Sequence, residues 1–225
     1  MKKSLYRIVC CAFCLGLVLP VLASETVDAD KSMDRIKAEL KAAKERKSQS
    51  RCPISGKPVS DKDGFTYMGY NIKTCCPDCV KVVEKNPLQA IAKIRKNGEE
   101  PGLASGVKAQ TVCPITGKPI KKEFVAVKNN ILVYFCCPNC PKAFEADPAG
   151  TVKKMVEKGE APILLTLAQT TCPVSGDKIS GANSVTVKGK QVELCCDACK
   201  VEMEKNPDKY LQAMADAGIV LEDAK

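Results

Sequence analysis

The sequence predicts a mixed α+β protein that consists of three small tandem cysteine-rich modules. Three observations predict this class. A Cys-Pro-x-Ser/Thr-Gly motif occurs three times and begins at Cys52, Cys113 and Cys172. Each copy is followed by a Cys-Cys-x-x-Cys motif whose first cysteine lies 23 residues after the opening one. The distance between copies varies while this internal distance is constant, which indicates that the geometry within each module matters.

The composition excludes several functional classes. The 225-residue chain has 35 Lys and Arg, 26 Asp and Glu, 15 Cys and neither His nor Trp. Without histidine there is no Ser-His-Asp triad, no imidazole base and no histidine zinc ligand. Aromatic residues make up only 4% and the lysines are dispersed, which argues against nucleic-acid binding. The sequence has no phosphate-binding loop and no paired carboxylates, and we expect no enzymatic activity.

The first 23 residues have the pattern of a secretory signal peptide. Lys2, Lys3 and Arg7 precede an apolar run that ends at Ala23. That run is shorter than the roughly 20 residues of a membrane-spanning helix, so we expect cleavage after Ala23 rather than an uncleaved anchor. Three of the 15 cysteines lie in this segment and would be removed with it. The remaining chain is expected to be exported, to the periplasm or outside the cell.

A charged helix is predicted between the signal peptide and the first module. It extends from Asp30 to Lys47 and has a narrow apolar stripe of Met33, Ile36 and Leu40. Because the other positions are mostly charged or small, we expect a solvated spacer rather than a helix that binds a partner.

Each module is predicted to contain a turn, a β-hairpin and one or two helices. In the third module Val185 and Val187 alternate with polar residues before a turn at Lys188-Gly189-Lys190. In the second, Asn129-Asn130 is the predicted turn between strands at 124–127 and 131–135. A helix is expected to open at the doubled cysteine, with Pro77 and Pro138 in its first turn.

An Asn-Pro or Asp-Pro step then ends the first helix of each module and starts a second. The second helix is predicted to end at a glycine with left-handed backbone, in turn Gly98, Gly159 and Gly218. The predicted segments are a signal peptide (1–23), a charged helix and spacer (24–50), module 1 (51–98), a linker (99–111), module 2 (112–159), a linker (160–170) and module 3 (171–225). The first linker is rich in Gly, Pro and Ser and is expected to be flexible, whereas the second is more apolar.

The cysteines are expected to hold the modules together, because units of this size rarely bury enough surface to be stable alone. A turn, a strand end and the first turn of a helix would bring soft ligands together around one ion. An all-sulfur site suits Zn²⁺, or Cu(I), which accepts fewer ligands. The candidate ligands are Cys52, Cys75, Cys76, Cys79, Cys113, Cys136, Cys137, Cys140, Cys172, Cys195, Cys196 and Cys199.

The Cys-x22-Cys-x3-Cys pattern resembles the TRASH and YHS modules, small treble-clef-like cysteine domains of heavy-metal trafficking, resistance and sensing. The Phe-Cys-Cys-x-x-Cys-x-x-x-Phe string at 135–144, followed by Asp147-Pro148, is especially similar. The resemblance implies a treble-clef-like fold and a metal-binding function. It departs from the family at the doubled cysteines Cys76, Cys137 and Cys196, where the family often has serine. Related treble clefs have a second cysteine in the opening turn, at the position of Ser55, Thr116 or Ser175 here, so the doubled cysteine would replace that ligand.

Two other interpretations stay open at the level of sequence. Exported proteins form disulfides, and six bridges such as Cys52–Cys75 and Cys76–Cys79 in module 1 would pair all twelve remaining cysteines. Alternatively, Cys-x-x-Cys at a helix N-terminus is the arrangement of thiol–disulfide exchange proteins. The preferred interpretation is an exported protein that binds Zn or Cu(I), about one ion per module, in metal sequestration, trafficking or resistance. It has no nucleic-acid partner and no stable membrane insertion after cleavage.

Overall fold

The computed structural model describes residues 29–224, which contain seven helices and twelve short strands. The predicted signal peptide lies outside these residues. The helices are α1 Ala29–Ala43, α2 Pro77–Lys85, α3 Pro87–Lys96, α4 Cys140–Ala146, α5 Pro148–Glu157, α6 Asp197–Lys205 and α7 Pro207–Asp216. The strands are β1 Lys47–Ser48, β2 Gly64–Tyr67, β3 Tyr70–Lys73, β4 Glu99–Glu100, β5 Gly102–Leu103, β6 Lys108–Ala109, β7 Lys121–Lys128, β8 Ile131–Phe135, β9 Glu160–Ala161, β10 Ile163–Leu164, β11 Asn183–Val187 and β12 Lys190–Leu194. None of the helices within 29–224 is both long and apolar enough to span a bilayer.

The same succession of elements recurs three times, and the predicted α+β class is confirmed. In module 2, β6 enters the module, β7 and β8 form an antiparallel hairpin, and α4 and α5 follow. The chain then returns as β9, parallel to β6, and β10 adds a third strand to the hairpin beside β8. In module 1, β1 pairs with β4 and β5 adds to β3. In module 3, single bridges join Leu167 to Ile219 and Lys190 to Asp223.

The hairpin turns lie where the sequence predicts them. Asn129 and Asn130 both have left-handed backbone, with φ of 51° and 62°, and Lys188 and Gly189 have φ of 49° and 73°. Two consecutive left-handed residues match the twist of the flanking strands in a two-residue hairpin loop. Strand β8 has the predicted bounds, and β7 begins three residues earlier than expected because its first residues pair across a bulge.

The helix boundaries are also set by Pro and Gly. Each Asn-Pro or Asp-Pro step separates the two helices of its module, and the predicted terminal glycines have φ between 70° and 77°. Module 2 differs from the prediction at its first helix, because Pro138 precedes α4 instead of lying in its first turn. In modules 1 and 3 the first helical bond runs from the N–H of Val80 or Lys200 to the carbonyl of the doubled cysteine. Pro141 occupies this position in module 2 and has no N–H, so the helix begins later.

The residues between the modules are ordered, and the predicted flexible linker at 99–111 is wrong in this respect. Strands β4 and β5 belong to module 1, and β6 belongs to module 2. Their pairing partners are strands that lie far away in the sequence, which local composition does not show. The more apolar segment at 160–170 contributes to the core, because Leu164 and Leu165 are buried.

Modules 1 and 2 share one hydrophobic core. Ile72 and Ile91 of module 1 belong to the same buried cluster as Phe135, Phe144 and Met155 of module 2. The rings of Phe135 and Phe144 lie 5.9 Å apart, within the range of favourable aromatic pairs. Each module therefore completes its core with a neighbour, which is how a unit of about 50 residues overcomes its small interior.

A second core joins module 3 to α1 and to the outer face of the module 2 hairpin. Ile36 is only 2% exposed and packs in one cluster with Leu132, Leu165 and Leu194. The other two residues of the α1 stripe, Met33 and Leu40, pack against this cluster. The prediction of a solvated spacer is therefore wrong for α1, which covers the apolar surface of module 3. The error arose because a narrow stripe on a charged helix does not reveal a partner distant in the sequence.

Polar contacts reinforce the packing between modules. The guanidinium of Arg95 in α3 donates to the carbonyl of Leu164 and pairs with Glu100. The buried Asn130 side chain, at the tip of the module 2 hairpin, donates to the carbonyls of Leu165 and Ile219. Since both side chains are buried and hydrogen-bonded across modules, they fix the relative orientation of the modules.

The contact of α1 predicts that Ile36→Ala destabilises module 3. Truncation of a buried isoleucine typically costs about 2–5 kcal/mol. We expect faster proteolysis of α1 and a lower denaturation midpoint for the module 3 core. Lys37→Ala is the matched control, because Lys37 is exposed and pairs with Asp34 of the same helix. Equal midpoints for the two variants would show that α1 does not stabilise module 3.

Candidate metal centre

A tight turn positions the first cysteine of each site. The N–H of Cys52 donates to the carbonyl of Lys57 at 2.8 Å, and the N–H of Gly56 donates to the carbonyl of Cys52 at 2.9 Å. Gly56 has φ of 73°, a left-handed conformation that favours glycine. The same bonds and the same glycine conformation recur at Cys113 and Cys172. The opening cysteines, Cys52, Cys113 and Cys172, are 0–2% exposed.

The hairpin and the following helix supply the other cysteines of each site. The strand-end cysteines Cys136 and Cys195 directly follow their hairpins, and one residue separates Cys75 from its hairpin. The helix cysteines Cys79, Cys140 and Cys199 lie four residues later, in the first turn of α2, α4 and α6. In each module, the Sγ atoms of the opening, strand-end and helix cysteines all lie within 4.8 Å of one another.

The sulfur spacing agrees with a thiolate metal site. Tetrahedral coordination with Zn–S bonds of about 2.3 Å places neighbouring sulfurs about 3.8 Å apart. The Sγ atoms of Cys75 and Cys79 are 3.8 Å apart, those of Cys136 and Cys140 3.9 Å, and those of Cys195 and Cys199 3.6 Å. These separations are far longer than the roughly 2.05 Å of a disulfide bond. All twelve cysteines from Cys52 to Cys199 are free thiols. The three triads could each hold a metal ion with little rearrangement.

The doubled cysteines lie beside the triads. Cys76 Sγ is 3.8 Å from Cys75 Sγ, and Cys137 Sγ is 3.3 Å from Cys140 Sγ. In module 3, Cys196 Sγ is 3.7 Å from Cys195 Sγ and 3.5 Å from Cys199 Sγ. None of the doubled cysteines has its Sγ atom within 4.8 Å of all three Sγ atoms of its triad. Each therefore contacts the strand-end or the helix cysteine and remains farther from the opening one.

A hydroxyl occupies the position at which a second cysteine of the opening turn would lie. The hydroxyl oxygens of Ser55, Thr116 and Ser175 are 3.1, 3.1 and 3.2 Å from the Sγ atoms of Cys75, Cys136 and Cys195. At this distance a hydroxyl can donate a hydrogen bond to a thiolate. The serine or threonine thus takes the place of a second cysteine ligand. Its hydroxyl can stabilise negative charge on the strand-end cysteine.

The opening cysteines are stabilised as thiolates. Burial opposes ionisation of Cys52, but hydrogen bonds from the backbone and side chain of Ser55 and from the backbone of Ile54 outweigh it and lower its pKa to about 6. Burial likewise opposes ionisation of Cys113 and Cys172, and their own turn residues lower the pKa of both to about 7. The N–H groups of the turn thus favour the form that binds metal.

The helix cysteines have the opposite character. Burial and hydrogen bonds with neighbouring sulfurs raise the pKa of Cys79 to about 12, and the same causes raise the pKa of Cys140 and Cys199. At pH 7 without metal, Cys79 therefore stays protonated beside a largely ionised Cys52. The helix cysteines of modules 2 and 3 stay protonated beside opening cysteines that are about half ionised. A metal ion has to displace this proton.

These shifts predict the pH dependence of metal binding. Near neutral pH, uptake at module 1 should release a proton from Cys79 and little from Cys52, whose pKa is about 6. At modules 2 and 3 the opening cysteine, with a pKa of about 7, should release part of a proton in addition to that of the helix cysteine. As the pH falls below about 6, Cys52 also becomes protonated, so the apparent affinity should decrease more steeply. Zn²⁺ calorimetry in buffers of different ionisation enthalpy measures the released protons. Binding without proton release above pH 7 would contradict the assignment of the helix cysteine as a ligand.

A glutamine three residues before each opening cysteine fixes the turn to the hairpin, and the sequence prediction did not include it. The Gln110 amide donates to the carbonyls of Val112 and Tyr134, and its oxygen accepts from the N–H of Tyr134 at 2.9 Å. Gln49 and Gln169 make the equivalent bonds in modules 1 and 3. The sequence does contain an indication of this role, because a glutamine occupies the same position in all three copies.

Replacing Gln110 by alanine is therefore expected to weaken metal binding at module 2 alone. The loss of a group that orients ligands typically costs about 10–100-fold in affinity. Competition with a chelator measures the effect, and the affinities of the other two sites should not change. Gln212→Ala serves as the control, because Gln212 is an exposed glutamine whose amide donates to Asn129 and Asp216 rather than to the turn or strand of a site. Equal affinities of the two variants would show that the glutamine has no positioning role.

Module 3 differs from the other two near its strand-end cysteine. Asp177 Oδ2 lies 3.9 Å from Cys195 Sγ, whereas lysines occupy the corresponding positions 57 and 118. A carboxylate is a harder ligand than a thiolate and brings negative charge to the site. The three sites therefore share a geometry but differ in local charge.

The structure brings together nine of the twelve predicted site residues as three triads and leaves the three doubled cysteines adjacent to them. Comparison of the chain with protein-family models, curated proteins and solved structures finds no match.

Proposed function

We propose that this is an exported metal-binding protein with three thiolate sites for Zn²⁺ or Cu(I), which acts in heavy-metal sequestration, trafficking or resistance. It binds metal without catalysing a reaction. The observation that carries the proposal is the threefold recurrence of a buried sulfur triad at coordination spacing on the same turn, hairpin and helix. A single cluster could arise by chance in a cysteine-rich protein. Three clusters with the same supporting hydrogen bonds favour the same metal-binding role in each module.

The likeness to TRASH and YHS modules supports the same function. The cysteine spacing of those modules is present three times. In each copy the three cysteines lie on an opening turn, at the end of a hairpin and in a helix. The ligands in this proposal are the three triads. Three sulfurs suffice for Cu(I), and a three-sulfur zinc site is completed by one further ligand such as water.

The shared cores favour metal handling over a purely structural role for the metal. Small domains that depend on a metal for folding are held together chiefly by their ion. Here each module buries its apolar residues against another module or α1, so much of the folding free energy comes from packing. The fold is therefore expected to persist when the ions leave, as a carrier or store of metal requires.

Reconstitution of the reduced, metal-free protein tests the proposal. Titration with Zn²⁺ and separately with Cu(I), without oxygen, followed by native mass spectrometry, should end at three ions per chain. Far-ultraviolet circular dichroism of the metal-free protein should retain most of its helical signal. Failure to bind either ion would contradict the proposed function, and loss of the helical signal without metal would assign the ions a structural role.

A further inference from the structure

The cysteines of each site differ in their exposure to solvent. The opening cysteines are 0–2% exposed and the helix cysteines 5–8%, while the strand-end cysteines are half-buried. Among the doubled cysteines, Cys196 is exposed, and Cys76 and Cys137 are half-buried. Each site thus has two sulfurs that solvent hardly reaches beside two that it does reach, and in module 3 the doubled cysteine is the more exposed of the latter two.

In modules 1 and 3 the backbone turns adjacent cysteines to different sides. Cys76 and Cys196 precede their helices with φ of −164° and −159°, so the chain is extended at the doubled cysteine. Successive side chains of an extended chain project to opposite sides. The strand-end cysteine therefore points into the site while the doubled cysteine points outward, within reach of the same neighbours.

In module 3 the sulfurs form two triangles that share an edge. The outer triangle joins Cys195, Cys196 and Cys199, with Sγ separations of 3.7, 3.6 and 3.5 Å. The inner triangle replaces Cys196 with the buried Cys172. Because Cys195 and Cys199 belong to both, an ion bound to the outer triangle reaches the inner one by exchanging a single ligand.

We propose that the doubled cysteine of each module is the ligand through which metal enters and leaves the buried triad. The inference rests on the proposed metal-binding function and names a role that differs from that of a permanent fourth ligand. In module 3, a metal–sulfur bond forms to Cys172 as the bond to Cys196 breaks. The oxidation state of the metal does not change, one thiolate replaces the other on the ion, and any proton that Cys172 carries passes to the released Cys196. Cys76 and Cys137 do the same for modules 1 and 2.

A kinetic role and a structural role predict different results for one variant. The triple variant Cys76→Ser, Cys137→Ser and Cys196→Ser should still bind three Zn²⁺ ions, with affinities within about threefold of the unaltered protein. Its rates of uptake and release should both fall by about tenfold or more, because the affinity is their ratio. Stopped-flow transfer of Zn²⁺ to and from a chromophoric chelator, with reduced protein and without oxygen, measures both rates.

Cys172→Ser is the reference for a true ligand and should lower the affinity of its site. Unchanged transfer rates in the triple variant would overturn the proposal. A loss of affinity at module 3 as large as that of Cys172→Ser would also overturn it, because Cys196 would then be a permanent ligand. The stoichiometry of the unaltered protein is determined first. If that protein bound no Zn²⁺ or Cu(I), the proposed function itself would fail, and this result is distinct from either outcome for the triple variant.

Discussion

Replacing Cys79 by serine should reduce the metal content of the protein from three ions to two. Cys79 belongs to the triad of module 1, is buried, and lies 3.8 Å from Cys75 through their Sγ atoms. Serine offers a hard, protonated oxygen that is a poor ligand for Zn²⁺ or Cu(I). Cys76 does not restore the triad, because its Sγ atom is not within 4.8 Å of all the triad sulfurs, so we expect an affinity loss of more than about 100-fold at module 1.

Modules 2 and 3 should remain loaded in this variant. Their triads are built from their own turns, hairpins and helices, and neither includes a cysteine of module 1. Native mass spectrometry counts the ions, and Cys76→Ser is the matched control, with three ions expected. If Cys79→Ser still bound three ions with unaltered affinity, the assignment of the helix cysteine as a ligand would be wrong.

Phe144→Ala should destabilise modules 1 and 2 together. The side chain is fully buried, contacts the ring of Phe135 and lies in the core that the two modules share. Truncation of a buried phenylalanine typically costs about 3–5 kcal/mol, a large fraction of the stability of a small domain. Since Ile72 and Ile91 of module 1 belong to the same cluster, both modules should lose stability in one cooperative transition.

Denaturation followed by circular dichroism, with metal release recorded in parallel, measures this effect. Val82→Ala and Val201→Ala are suitable controls, because both valines are about half exposed and should change stability by less than about 0.5 kcal/mol. Sites 1 and 2 should release their ions at the same denaturant concentration in Phe144→Ala. Separate transitions for the two sites would show that the modules fold independently and that the shared core is not cooperative.

The local elements could be predicted from the sequence because Gly, Pro and Asn mark their ends. The left-handed turn at Asn129 and Asn130 and the helix break at Asp147-Pro148 depend on backbone preferences that act within a few residues. The docking of α1 and the strands of residues 99–111 could not be predicted in this way. Ile36 lies in one buried cluster with Leu165 and Leu194, and such distant partners are not encoded in local periodicity.

The sequence predicted the candidate ligands of the site but not the glutamine residues that position them. The spacing of Cys52, Cys75 and Cys79 is visible because each occupies a recognisable place on a turn, a strand end or a helix. Gln110 looks like an ordinary polar residue, and its role depends on a carbonyl 24 positions away in the sequence. The unequal positions of adjacent cysteines likewise become visible only when the direction of the backbone is known.

The most direct test of the central claim is the metal content of the protein together with its count of free thiols. The mature protein should be purified without chelator or reductant, so that neither ions nor disulfides are altered. We expect about three Zn or Cu ions per chain and, after denaturation in chelator, twelve titratable thiols, four from each module. Protein without metal and without free thiols would contain six disulfides, and the proposed metal-binding function would be contradicted.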